Sequence, residues 1–255
     1  MNFDLDFLTW MMVFLRASAM LAIFPVFSSP GFPVQVRLAL GALVSFLVTS
    51  SLPSMIPANL DWMLGIKIMI TEVLVGLSFG FMSRLLFYAI DLAGGIISME
   101  IGLSLPPSFN PLSNTQAAAP GSILNYMAAM IWLSMDMHHW MLLAFKKSYL
   151  YLPIGGAHMG NGVLTQIFVK SSGIFMIAAQ MTAPIIAVSF TITVVFAVLS
   201  RAVPQMNVFS ESYAVKTLAG MTVFGLTAQL MSQHIGNYLN RLPEDVLRVA
   251  QLLGN

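Results

Sequence analysis

The chain has 255 residues, of which 58% are hydrophobic and only 8% charged, against about 45–50% and 25% in ordinary soluble domains. Its formal net charge is +1 and Lys146-Lys147 is the only adjacent basic pair, so there is no electrostatic footprint for nucleic acid. The absence of cysteine excludes disulfides, thiolate metal sites and cysteine nucleophiles, and the balance is that of a membrane protein or a hydrophobic assembly subunit.

No charged, Gly/Ser-rich or low-complexity linker divides the sequence, which reads as one domain over 1–255. Asp4 and Asp6 stand where a cleavable signal peptide would have a basic region, so the first apolar run, 7–27, is expected to stay in the mature protein. Further apolar runs cover 38–60, 68–97, 123–145, 171–200 and 217–240, making six hydrophobic segments. The cleanest candidate span is 171–200, thirty residues without a charge and interrupted only by Pro184, where about 20 mainly apolar residues suffice to cross a bilayer. All six read as helices, giving an all-α fold, because they are long, rich in Leu, Met, Ala and Phe, and punctuated by prolines. Pro25, Pro30 and Pro33 separate the first two, Pro53 and Pro57 close the second, and Pro153 with Gly155, Gly156, Gly160 and Gly162 precedes the fifth. Pro243-Glu244-Asp245 predicts the start of a short amphipathic C-terminal helix.

Several segments are poor membrane spans. Arg16, Glu72, Arg84, Asp91, Glu100, Asp136 and Lys216 lie within or beside apolar runs, where an unpaired charge costs several kcal/mol. Arg84 and Asp91 share a helix face but are about two turns apart, too distant to pair directly. Such charges either snorkel to an interface or are buried against partner subunits. Gly76-Leu77-Ser78-Phe79-Gly80 has the small-xxx-small spacing of close helix packing. The 20 methionines suit irregular or adaptable surfaces, although core filling accounts for most of them.

The segment 106–121, with four prolines and no charge, cannot form a regular helix throughout. A stretch this long without structure is commonly functional or disordered; a polar, uncharged segment tethered to apolar helices suits a plug or lid. An ordinary surface loop is the alternative. His138 and His139 follow Asp136, but adjacent helical side chains diverge by about 100 degrees, unlike a metal-binding i, i+4 pair, so no metal site is expected. Asp136 and His139 are spaced to hydrogen-bond, with Trp132 and Trp140 nearby as interfacial anchors. No P-loop, dinucleotide fingerprint or nucleophile elbow occurs, so no cofactor or catalytic residue is expected. Finally, Arg201-Ala202-Val203-Pro204-Gln205-Met206-Asn207-Val208-Phe209 places a charge, a helix breaker and two amides directly after the longest uncharged apolar run.

Pro204-Gln205-Met206-Asn207-Val208-Phe209, with Arg16, Pro25-Val26-Phe27 and Asp136-Met137-His138-His139, resembles the FliR family of flagellar type III export-gate proteins, the related injectisome family being the alternative. The resemblance covers nearly the whole chain. It departs at Asn110-Pro111, where the family often has Asp-Pro, and at Ser210-Glu211-Ser212-Tyr213-Ala214, where an apolar Gly-Phe-Pro stretch is common. It implies helical hairpins in a pore-like assembly with FliP and FliQ in the bacterial inner membrane at the flagellar basal body. FlhB and FlhA would be neighbours, lipid would surround it, and unfolded flagellar subunits would pass through. The family's plug corresponds to 106–121, in which Pro106, Pro107, Phe109, Asn110, Pro111 and Leu112 would block the pore at rest. Arg201, Pro204, Gln205, Met206, Asn207 and Phe209 would form a subunit contact, with Arg16, Glu72, Arg84, Asp91 and Asp136 buried in the assembly. A proton-coupled small-molecule transporter would instead use Glu72, Asp91 or Asp136 as ion sites, but the inverted repeats that would favour it are not seen. An intramembrane enzyme lacks a recognisable nucleophile and base.

Overall fold

Straight-chain apolar residues lose little side-chain freedom in a helix, and a helix satisfies its backbone groups within the segment. The long uncharged runs therefore become helices. The computed structural model describes residues 3–29, 31–52, 61–103, 119–157, 161–203, 205 and 207–254. Among these the chain is all-α, with no strand. Its helices are α1 (Phe3–Ile23), α2 (Val34–Thr49), α3 (Trp62–Glu100), α4 (Ala119–Ser134), α5 (Met137–Tyr151), α6 (Asn161–Ala202), α7 (Val208–Leu239) and α8 (Leu242–Gly254).

The helices follow the six apolar runs, with two differences. The run 123–145 is divided between α4 and α5, because Asp136 adopts a left-handed conformation with φ 53°. Asp visits this region more readily than most residues, and one such residue is enough to stop a helix and restart it. Conversely, α6 continues through Pro184 for 42 residues. Proline's fixed φ is itself helical, so the forfeited bond is one among many in a long ladder. The expected C-terminal helix is α8, whose buried Leu242, Val246, Val249, Ala250 and Leu253 recur at the helical period on one face.

The chain forms two compact units, each built from discontinuous pieces: Met1–Leu85 with Leu133–Ser171 and Leu239–Asn255, and Leu86–Trp132 with Ser172–Tyr238. In the first unit α2 packs along α1, with Gly41 against Phe14 and Ser18. α1 and the first part of α3 meet at Gly76 and Gly80: a Cβ on Gly76 would lie 2.8 Å from the Ala19 Cβ, and one on Gly80 would lie 2.7 Å from the Met20 carbonyl oxygen. The small-xxx-small spacing is thus a true backbone approach. α8 lies against α5, which buries Met141, Ala144, Phe145 and Tyr149, and Lys170 at the start of α6 reaches Asp245 of α8 at 2.6 Å.

In the second unit the later part of α3 meets α4 where Gly94 faces the Gly121 backbone too closely for any side chain. The carboxyl end of α3 is held by hydroxyls from two other helices. Ser189 of α6 stands 2.6 Å from the Glu100 carboxylate, Thr217 of α7 donates to the Ile101 carbonyl at 2.8 Å, and Tyr213 of α7 donates to that of Gly102. Carbonyls that a helix end leaves unbonded are thereby satisfied.

Candidate functional site

The first unit contains a buried polar node. Arg16 on α1 is fully buried and Glu72 on α3 is 1% exposed. The guanidinium meets the carboxylate through two bonds, Nε to Oε2 at 2.6 Å and Nη2 to Oε1 at 3.0 Å. This forked geometry matches the planar donors of arginine to both carboxylate oxygens. The remaining donors go to the Ser148 hydroxyl and the Leu152 carbonyl, each at 3.3 Å. The guanidinium carbon lies 4.0 Å from the centroid of the Tyr149 ring, a cation–π arrangement. Oε1 of Glu72 also accepts the Gly155 amide at 3.0 Å. Gly155 has φ 73°, so the residue that turns the chain after α5 also delivers this N–H.

Removing charge from water is expensive, and a buried pair is tolerable only when its other donors and acceptors are filled. Here they are filled from α1, α3, α5 and the loop after α5, so one ion pair ties four stretches of chain together. Arg16 and Glu72 thus find each other within the chain, neither snorkelling nor waiting for a partner subunit. Pairing across 56 residues leaves no local signature. The only clue in the sequence is the presence of opposite charges in two apolar helices. Ser148, Tyr149 and Gly155 carried no such clue.

The other expected buried charges differ. Arg84 is half-buried and donates to the Ile23 carbonyl at 3.5 Å and the Ser28 hydroxyl at 3.3 Å, placing its charge at the negative end of α1. Asp91 is exposed and accepts from Asn125 at 2.5 Å. Asp136, at the start of α5, is 69% exposed. It lies 3.6 Å from Nδ1 of His139 and 3.9 Å from Nε2 of His138, at ion-pair distance, not hydrogen-bonding distance. The two imidazoles do not diverge as expected of helical neighbours: both residues are helical, yet side-chain rotation brings their centroids to 4.0 Å.

At the break between α6 and α7, α6 ends at Ala202, two residues before Pro204, in keeping with the bias of pre-proline residues away from the helical region. Arg201, Gln205 and Asn207 are exposed, and Arg201 has no acidic partner among the described residues. Phe209 falls in the first turn of α7, while Pro204 and Met206 lie outside the described residues. So do Pro106, Pro107, Phe109, Asn110, Pro111 and Leu112 of the expected plug.

Among the described residues two helices, Trp62–Glu100 and Thr165–Ala202, are long and apolar enough to cross a membrane, but they differ sharply in burial. The most apolar window is 61% buried in the former and 17% in the latter. Phe168, Phe175, Phe190 and Val198 of α6 are all more than 60% exposed, as are Leu218 and Leu226 of α7. An extensive apolar surface of this kind marks contact with lipid or protein.

The family model for bacterial export proteins, family 1, matches residues 7–242. The chain is 27% identical over 241 residues to the flagellar biosynthetic protein FliR of Pectobacterium carotovorum subsp. carotovorum, covering 92% of this chain and 90% of that one. It is 23% identical over 256 residues to FliR of Escherichia coli strain K12, covering 97% of both. With FliR of Bacillus subtilis strain 168 the identity is 25% over 260 residues, covering 100% of this chain and 99% of the relative. An all-α chain with span-length apolar helices, matched across nearly its whole length, belongs to family 1 of the bacterial export proteins.

Proposed function

We propose that the chain is a core subunit of the flagellar type III protein export gate. It would assemble with FliP and FliQ into a gated channel in the bacterial inner membrane at the basal body, with FlhB and FlhA as neighbours. The supporting observation is the uncovered apolar length of α6, 17% buried over its most apolar window, in a member of an export family. Such a helix needs a lipid or protein cover, and Arg201 at its end has no acidic partner among the described residues. Export substrates would pass through the assembly without covalent change, so the chain acts structurally and not as an enzyme. The segment 106–121 would be the plug, tethered to the fixed carboxyl end of α3. The relatives favour the flagellar reading over the injectisome one, since all three are flagellar biosynthetic proteins. Glu72, a candidate ion site for a transporter, is already committed to Arg16. The test is copurification of the full chain from membranes with identification of its partners. Recovery of FliP and FliQ is the expected result, and a chain recovered alone would overturn the reading.

A further inference from the structure

We propose that Asp136, His138 and His139 form a binding site for a divalent transition-metal ion, with zinc the best fit, at the turn between α4 and α5. One donor atom from each of the three residues lies within 4.8 Å of the other two. Zinc bound at about 2.0–2.2 Å by nitrogen and oxygen donors in tetrahedral geometry sets neighbouring donors roughly 3.4 Å apart. The Asp136 oxygen is already 3.6 Å from His139 Nδ1 and 3.9 Å from His138 Nε2. A shift of a few tenths of an ångström, within the reach of side-chain rotation, closes these two distances.

The second observation concerns the use of Asp136. An Asp immediately before a helix ordinarily accepts a bond from an amide of the first turn. Asp136 occupies that position without making one, and its left-handed backbone, φ 53° and ψ 28°, accompanies a carboxylate that stands beside the imidazoles. Two imidazoles and one carboxylate are the donor set for zinc and its neighbours in the transition series, not for magnesium or calcium. Asp136 and His139 are 69% and 71% exposed, which leaves the remaining coordination position to water or to a side chain of a partner subunit. The positive end of α5 opposes a bound cation and weakens binding by roughly a few fold. The chain has no cysteine and only four histidines, so few other thiolate or imidazole donors compete.

The experiment uses the full chain purified in detergent, together with any partners that remain bound, through an affinity tag free of histidine. Zinc is titrated against a chromophoric chelator, and cobalt is followed by its visible absorption. One ion per chain is expected. Loss of an outer-shell partner alone commonly weakens a metal site by about 10–100-fold; Asp136→Ala and His139→Ala are therefore each expected to lower affinity at least tenfold and abolish the cobalt band. His234→Ala should leave both unchanged. Unfolding measured in EDTA should be the same for His139→Ala as for the parent chain, since that side chain is 71% exposed and its backbone is helical. Stoichiometric binding that survives the double variant Asp136→Ala/His139→Ala, or no binding by the parent chain, would overturn the proposal.

Discussion

At the scale of single residues the most consequential pair is Arg16 and Glu72. Leaving one charge of a buried pair without its counterpart typically destabilises by about 3–5 kcal/mol, whereas replacing both by apolar groups of similar size is often close to neutral. Arg16→Met and Glu72→Leu are each expected to lower unfolding stability in detergent by roughly that amount, and the double variant to recover much of the loss. A strictly additive double variant would show that the pair is not coupled. Arg201 is the contrasting case. Exposed and without an acidic partner among the described residues, it should tolerate Arg201→Ala within about 0.5 kcal/mol in the isolated chain. The same change, like Asn207→Ala, is expected to weaken association with FliP because it leaves polar groups of the assembled interface unpaired. Copurification of FliP at the parent level would refute that role. The charges themselves were legible in the sequence, but which was internal and which was exposed was not, since the distinction depends on contacts between distant segments.

At the scale of elements, helix packing rests on small residues. Gly76 and Gly80 sit where α3 meets the α1 backbone, and the positions a Cβ would take there fall 2.8 Å from Ala19 Cβ and 2.7 Å from the Met20 oxygen. Backbone cannot yield as a flexible side chain does, so Gly76→Ala and Gly80→Ala are each expected to push α1 from α3 and destabilise by about 1–3 kcal/mol. Gly95, where an added Cβ would meet nothing within 4 Å, serves as the control: Gly95→Ala should be neutral or slightly stabilising, as helix propensity dictates. Equal midpoints for the two kinds of variant in thermal unfolding would sink this account. Helix existence and approximate extent were legible because long apolar runs and proline punctuation act locally. The split at Asp136 was not, because its left-handed backbone falls inside an apolar run that otherwise favours helix.

At the scale of the whole molecule, the apolar faces of α6 and α7 call for a lipid or protein cover that the described residues do not supply. In a complete assembly those faces would be covered, and the segment 106–121, joined to the hydroxyl-anchored end of α3, would control passage. Deleting 106–118, which spares the first turn of α4 and its Gly94–Gly121 contact, is expected to leave the complex assembled, as judged by copurification, while allowing small solutes to leak across the membrane. An unchanged leak with an intact complex would remove the plug from the mechanism. The all-α, membrane-type architecture was legible from composition and apolar run length, since 8% charge and 58% apolar content are far from the balance of an ordinary soluble domain.

The sequence by itself determined the class, the helices, the amphipathic end and the family resemblance, because periodicity, proline placement and short motifs are properties of neighbouring residues. Tertiary structure decided the rest. It paired Arg16 with Glu72 across 56 positions, turned a weak glycine spacing into a backbone contact, and gathered Asp136, His138 and His139 where helical geometry alone would have spread them. Each of these depends on which segments fold against one another or on side-chain rotation, and neither is written in the identity of adjacent residues.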